Sequence, residues 1–170
     1  QALARRHDVL RTSFDWSSGA EAAQIVHPNV EVPFIEEDLR GRPATGREEH
    51  IDAWLRDDRR RGFELNVAPL FRVTVFRLAD QDYRVVWTIH HILMDGRSLP
   101  NVIKELFAIN EALEGGKEPN LAPARPYRDF INWYVARDPG SSKPFWRELL
   151  AGISAPTVLA IDRSITGQRA

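Results

Sequence analysis

"YRVVWTIHHILMDGRS", residues 83–98, passes from a strand-like run through a turn into the first residues of a helix. Tyr83–His91 is rich in β-branched and aromatic residues and is apolar on both faces apart from Arg84, which predicts a central strand covered on both sides. Ser98 is a helix-capping residue type. Pro100 is tolerated in a first turn, and Leu99, Val102, Ile103, Leu106 and Leu113 recur at helical spacing until Gly115-Gly116 ends the run. A buried strand leading through a short turn into a capped helix is the edge of an α/β layer, and open sheets commonly place their ligands there.

Working outward, Leu70–Leu78 alternates as a strand and joins Tyr83–His91 through a short polar connection suited to a hairpin. Upstream, residues 2–10 read as a helix end, Thr12–Trp16 as a strand, Ser17-Ser18-Gly19 as a turn, and Gln24–His27 and Val32–Ile35 as short strands. Gly46 to about Arg61 reads as a helix with Ile51, Trp54 and Leu55 on one face; its charged run RDDRRR (56–61) reads as a solvated surface. Downstream, a Pro-rich connector precedes helices near Tyr127–Arg137 and Ser142–Leu150, and a last extended segment covers Thr157–Ile161. Interleaved strands and helices favour an α/β sandwich, with helices covering a mixed sheet.

Composition narrows the function. The chain has 170 residues, 43% hydrophobic and 28% charged, which is ordinary for a globular protein with a real core. With 23 basic against 24 acidic residues the net charge is −1, which disfavours nucleic acid as the main ligand. There are no cysteines, so disulfide and thiolate chemistry are excluded. No apolar run approaches the ~18 residues of a membrane span, and a cytoplasmic setting is compatible with all of this. The opening "QALARRHDVLRTSF" begins inside an amphipathic helical pattern without an initiator methionine, so a piece of a larger polypeptide is expected.

His90 and His91 are adjacent in a strand and therefore point to opposite faces, which disfavours their sharing one metal. Taken by themselves they leave open an ordinary hydrogen-bonded pair at a strand end. Asp95 and Gly96 in the following turn favour a functional site. Gly96 is expected to supply positive φ, and Asp95 to orient the turn, either by accepting backbone N–H groups or by pairing with an arginine. The N–H groups at the helix start suit a developing oxyanion. An imidazole and a carboxylate with no serine or cysteine nucleophile beside them suggest direct transfer, with the histidine as base and no acyl-enzyme.

His90-His91-Ile92-Leu93-Met94-Asp95-Gly96 matches HHxxxDG and so resembles the signature of the condensation domains of nonribosomal peptide synthetases, in the superfamily of chloramphenicol acetyltransferase. Arg6-His7-Asp8-Val9-Leu10-Arg11-Thr12-Ser13-Phe14 is similar to the RHExLRTxF motif of that family, with Asp8 in place of the usual Glu. Phe63-Glu64-Leu65 with Pro69-Leu70-Phe71-Arg72 resembles its FDL…PLxR stretch. Tyr127–Trp133 resembles its YxDYAxW stretch, departing at Ile131 and Tyr134, and residues 145–152 (FWRELLAG) match the helix that follows. The resemblance covers nearly the whole chain.

It implies an α/β sandwich of chloramphenicol acetyltransferase-like type, with residues 1–170 forming most of the N-terminal lobe and the C-terminal lobe absent. It also implies amide formation between an acyl or aminoacyl thioester and an amine, both carried on phosphopantetheine arms of carrier domains. No cofactor is bound directly, and an adenylation domain is expected on the same chain. His91 takes the catalytic role, as general base, by positioning the amine or by stabilising the tetrahedral intermediate. His90 supports the turn from the opposite face, and Asp95 pairs with an arginine, for which Arg11 and Arg6 are the candidates. A single lobe is expected to be inactive. The rival readings are another HHxxxDG acyltransferase, using CoA or forming esters, and an inactive module that docks carrier domains. Arg97, where many peptide-extending members carry an aromatic, points to a starter or atypical subclass.

Overall fold

The computed structural model describes residues 1–17, 22–138 and 140–155. Ser18 and Gly19 of the first turn and the extended segment expected at Thr157–Ile161 lie outside the described residues. The chain clusters into two compact units that part between Asp129 and Phe130.

The first unit opens with α1 (Ala2–Arg6), a 3₁₀ turn (Asp8–Arg11) and β1 (Thr12–Asp15), followed by β2 (Ala23–Val26) and β3 (Phe34–Asp38). Next come α2 (Ala44–Arg61), β4 (Phe71–Arg77), β5 (Tyr83–Ile89) and α3 (Ser98–Glu114). The single helix expected over residues 2–10 is thus an α-turn followed by a 3₁₀ turn. β1 and β2 form an antiparallel ribbon of their own. The main sheet has the order β3-β4-β5, with β3 and β4 parallel and β4 and β5 antiparallel. Parallel neighbours need a crossover, and α2 supplies it.

Strand alternation assigns each face of this sheet a cover. Phe76 and Val86 pack with Leu39, Ile51, Trp54 and Leu55, so even-numbered positions of β4 and β5 face α2. Phe76 is fully buried and meets the Trp54 ring edge-on at 5.5 Å; burying such a side chain contributes about 1.5–3 kcal/mol. Phe71, Trp87 and Ile89 pack instead with Leu3, Leu10, Val102 and Ile109, so odd-numbered positions face α1 and α3. The C-terminal end of α3 is closed by Gly116 at φ +62, with the Lys117 N–H reaching back to Ala112 O.

Two expectations are corrected here. The central strand is β4, most of whose residues are buried on one face or the other, whereas β5 is outermost among the described residues, with Tyr83 46% and Val85 62% exposed. Its apolar composition suits either position, and only pairing decides. The charged run of α2 is not uniformly solvated either: Asp58 is 3% exposed. It stands seven residues after Ile51 and therefore on the apolar face of the helix, where Arg72 and Thr88 bind it.

α4 (Tyr127–Val135) starts in the first unit, and α5 (Lys143–Leu149) lies in the second. In that second unit Phe130 stacks near Trp133 and Tyr134, and Phe145 meets Trp146 edge-on.

Candidate active site

The alternation of β5 continues through the two histidines although the strand ends at Ile89. The His90 N–H still donates to Leu70 O at 2.9 Å, extending the ladder by one bond. His90 therefore falls on the α2 side, where its ring stands edge-on to Phe63 at 6.2 Å and 89°. His90 Nδ1 accepts the Ile92 N–H at 3.1 Å, and its carbonyl accepts the Leu93 N–H, so the residue closes the turn on itself.

His91 falls on the opposite side and is exposed. It borders a cavity of about 690 Å³ together with His7, Phe14, Met94, Asn101 and Tyr127. The wall of this cavity comes from the end of α1 and the 3₁₀ turn, the β1–β2 ribbon, the HHxxxDG turn, the start of α3 and the connector into α4. No group of three or more metal-ligating side chains occurs among the described residues.

Asp95 pairs with neither candidate arginine. Its Oδ1 accepts the Arg97 N–H at 3.1 Å, the Ser98 N–H at 2.8 Å and the Ser98 hydroxyl at 2.7 Å, while its carbonyl accepts from Ser98 and Leu99. The Ser98 hydroxyl first, then the Ser98 amide, hold the carboxyl below its ordinary pKa. Asp95, not Ser98, is the side chain that caps α3, because a carboxylate beside free amides accepts more strongly than a hydroxyl. The amides expected to await an oxyanion are consumed by this cap.

Arg11 and Arg6 have other partners. Arg11 donates to Asp8 Oδ1 and to the carbonyls of Ala4 and His27, tying the 3₁₀ turn to α1 and to the end of β2. Arg6 Nε donates to Glu105 Oε2 at 2.7 Å, and the same guanidinium reaches Ala122 O. Gly96 is also not in the left-handed region, and a Cβ there meets nothing within 4 Å. The turn runs directly into helical backbone, with Arg97 at φ −85, so nothing in it demands glycine.

Glu105 is the residue that sequence reading missed. It receives both Arg6 and His7, whose Nε2 lies 2.6 Å from Oε2, and so pins the cavity wall of α1 to α3. The hydrogen bond from Arg6 is the leading cause of its lowered pKa, against partial burial and with help from His7. Arg6 and His7 were visible in their motif; a lone glutamate inside α3 carried no signal of where it points.

A mixed sheet with a helical cover on each face and a histidine-bearing turn at its edge defines an α/β fold of the chloramphenicol acetyltransferase-like class. The starter condensation domain of rhizomide synthetase has this shape: the TM-score is 0.74 at 19% identity, covering 91% of this chain and 38% of that one. The chain belongs to the condensation domain family, whose model, described as "Condensation domain", matches residues 1–170. It is 40% identical over its whole length to a linear gramicidin synthase of Brevibacillus parabrevis, covering 2% of that polypeptide. It is 33% identical over 98% of its length to bacitracin synthase 1 of Bacillus licheniformis, of which it covers 3%. The chain thus spans only a few per cent of these curated relatives.

Proposed function

We propose that the protein containing this chain forms an amide bond in nonribosomal peptide synthesis. The amine of an acceptor attacks the thioester carbonyl of an acyl or aminoacyl donor. The C–N bond forms as the C–S bond breaks, and the amine proton ends on the departing thiol. Both substrates arrive on phosphopantetheine arms of carrier domains, in a cytoplasmic setting. An adenylation domain on the same chain loads them, and the C-terminal lobe closes the channel over residues 1–170, which form most of the N-terminal lobe. Among the described residues no helix is long and apolar enough to cross a membrane.

The observation that carries this reading is that an exposed His91 lines the cavity, within an intact HHxxxDG turn. A neutral imidazole there accepts the amine proton or orients the amine by a hydrogen bond. Asp95 serves the site through the backbone, since its cap fixes where α3 starts and hence the far end of the turn. The flanking motifs at 6–14 and 127–133 favour carrier-bound substrates over CoA.

The test is single-turnover amide formation between two loaded carrier domains in the full-length protein, followed by mass spectrometry. His91→Ala is expected to lower the rate about 10²–10⁴-fold, as for a lost general base. Near-wild-type turnover in that variant would remove His91 from the mechanism.

A further inference from the structure

Among the described residues no hydrogen bond holds the His91 ring, so its place depends on how its neighbours in the chain are held. His90, on the closed side, is where that hold is concentrated. Its ring abuts Phe63, and its Nδ1 anchors the Ile92 amide, one residue beyond His91. The Phe63 ring is fixed in turn by the Arg72 guanidinium, whose Cζ stands 4.3 Å from the ring centroid. Arg72 donates to Gly62 O and Asp58 O, both at 2.8 Å, and to Asp58 Oδ1. The other Asp58 oxygen accepts the Thr88 hydroxyl at 2.7 Å. Thr88 pairs with Arg72 in the ladder and lies two residues before His90, on the same face.

The set therefore forms one connected path from the end of α2 to the turn. Asp58 holds both Arg72 and β5, Arg72 holds Phe63, Phe63 holds the His90 ring, and that ring holds the amide beyond His91. We infer that Phe63, Arg72 and Asp58 are positioning residues for His91, acting through His90. The inference rests on the condensation reading given above. A guanidinium over one ring and a second ring edge-on resist tilting in a way that an aliphatic contact does not. Loss of the Phe63 ring frees the His90 imidazole to rotate, and the acceptor for the Ile92 amide goes with it.

The experiment compares variants of the full-length protein in single-turnover condensation, with rate and half-saturating carrier concentration read separately. Phe63→Leu is expected to lower the rate by up to about 10²-fold, the effect of a small misplacement of a reacting group. The half-saturating concentration should stay unchanged, and Phe63→Tyr, which keeps the ring, should restore the rate. The double variant Phe63→Leu/His90→Ala should be no slower than His90→Ala alone, since both act on one path. Should Phe63→Leu not fold, Arg72→Lys is read in the same way, because it keeps the charge beside Asp58 but loses the planar fork. Full rate in Phe63→Leu or Arg72→Lys, a loss that Tyr does not rescue, or additivity with His90→Ala overturns the inference. His91→Ala is run alongside. If it retains turnover, the reading of the site falls and this inference with it; if it fails while Phe63→Leu runs at full rate, only this inference falls.

Discussion

The two faces of β5 at its C-terminal end are built on opposite plans. On the α2 face Asp58 and Arg72 interlock, 3% and 8% exposed, and Arg72 reaches His90 through the Phe63 ring between them. On the α3 face His91 and Asp95 are exposed beside a cavity, and the side-chain hydrogen bonds of Asp95 stay within its own turn. Adjacent residues 90 and 91 divide these settings between them simply because a strand alternates. The α2 face supplies rigidity through the buried Asp58–Arg72 pair, and the open face leaves an imidazole free for a substrate.

The sharpest way to break the comparison is to use the open face alone. Residues 1–170, supplied with donor and acceptor thioesters, are expected to give no amide product by mass spectrometry. An open face orients neither reactant, and orientation contributes about 7–11 kcal/mol to such reactions. His91-dependent turnover by this piece would show that the exposed face suffices.

The closed face should dominate stability. Asp58→Ala leaves Arg72 buried without its carboxylate and is expected to cost about 3–5 kcal/mol, read by denaturant titration. A loss below about 1 kcal/mol, the range of surface pairs, would make the face no more closed than its opposite.

Acid should separate the faces further. Burial disfavours the Asp58 carboxylate, but hydrogen bonds from Arg72 and Thr88 outweigh it and leave the pKa below the ordinary value of 3.8. A carboxyl lowered on folding contributes stability that is fully present above its unfolded pKa and is lost as the pH falls through the folded one. The Asp58 contribution should therefore persist at pH 5 and fade below about pH 4. Asp58→Asn should flatten that part of the stability-against-pH curve, and an unchanged acid slope would contradict the assignment.

The smallest effect belongs to Asp95→Ala. Because Asp95 is exposed and caps α3 instead of neutralising an arginine, its removal should fray the first turn of the helix and lower the melting temperature less than Asp58→Ala does. Asp95→Asn, which still accepts the amides, should be milder again. A collapse as large as that of Asp58→Ala would restore a buried pairing.

How much of this was legible in the chain depends on the range of the interaction. The opposite facing of His90 and His91, the helix from Ser98 to Glu114 and its glycine stop follow from neighbours a few residues apart. Local periodicity was also enough to find Asp58, seven residues after Ile51, but a run of like-looking charges masked it. Which strand is central was not legible, because β4 and β5 are both apolar and only the β3–β4 pairing makes β4 the middle one. Nor was Glu105, which meets Arg6 and His7 across 98 and more residues.

By itself, then, the sequence determined most of the described elements, the family motifs and the division of the two histidines, since backbone alternation and helix termination are local properties. The tertiary structure alone decided what each charge is for. Arg6 went to Glu105, Arg11 to Asp8 and to backbone carbonyls, Asp58 to Arg72, and Asp95 to the amides of α3. A charged side chain takes the partner that packing brings within hydrogen-bond reach, and which elements pack together is a property of the whole fold.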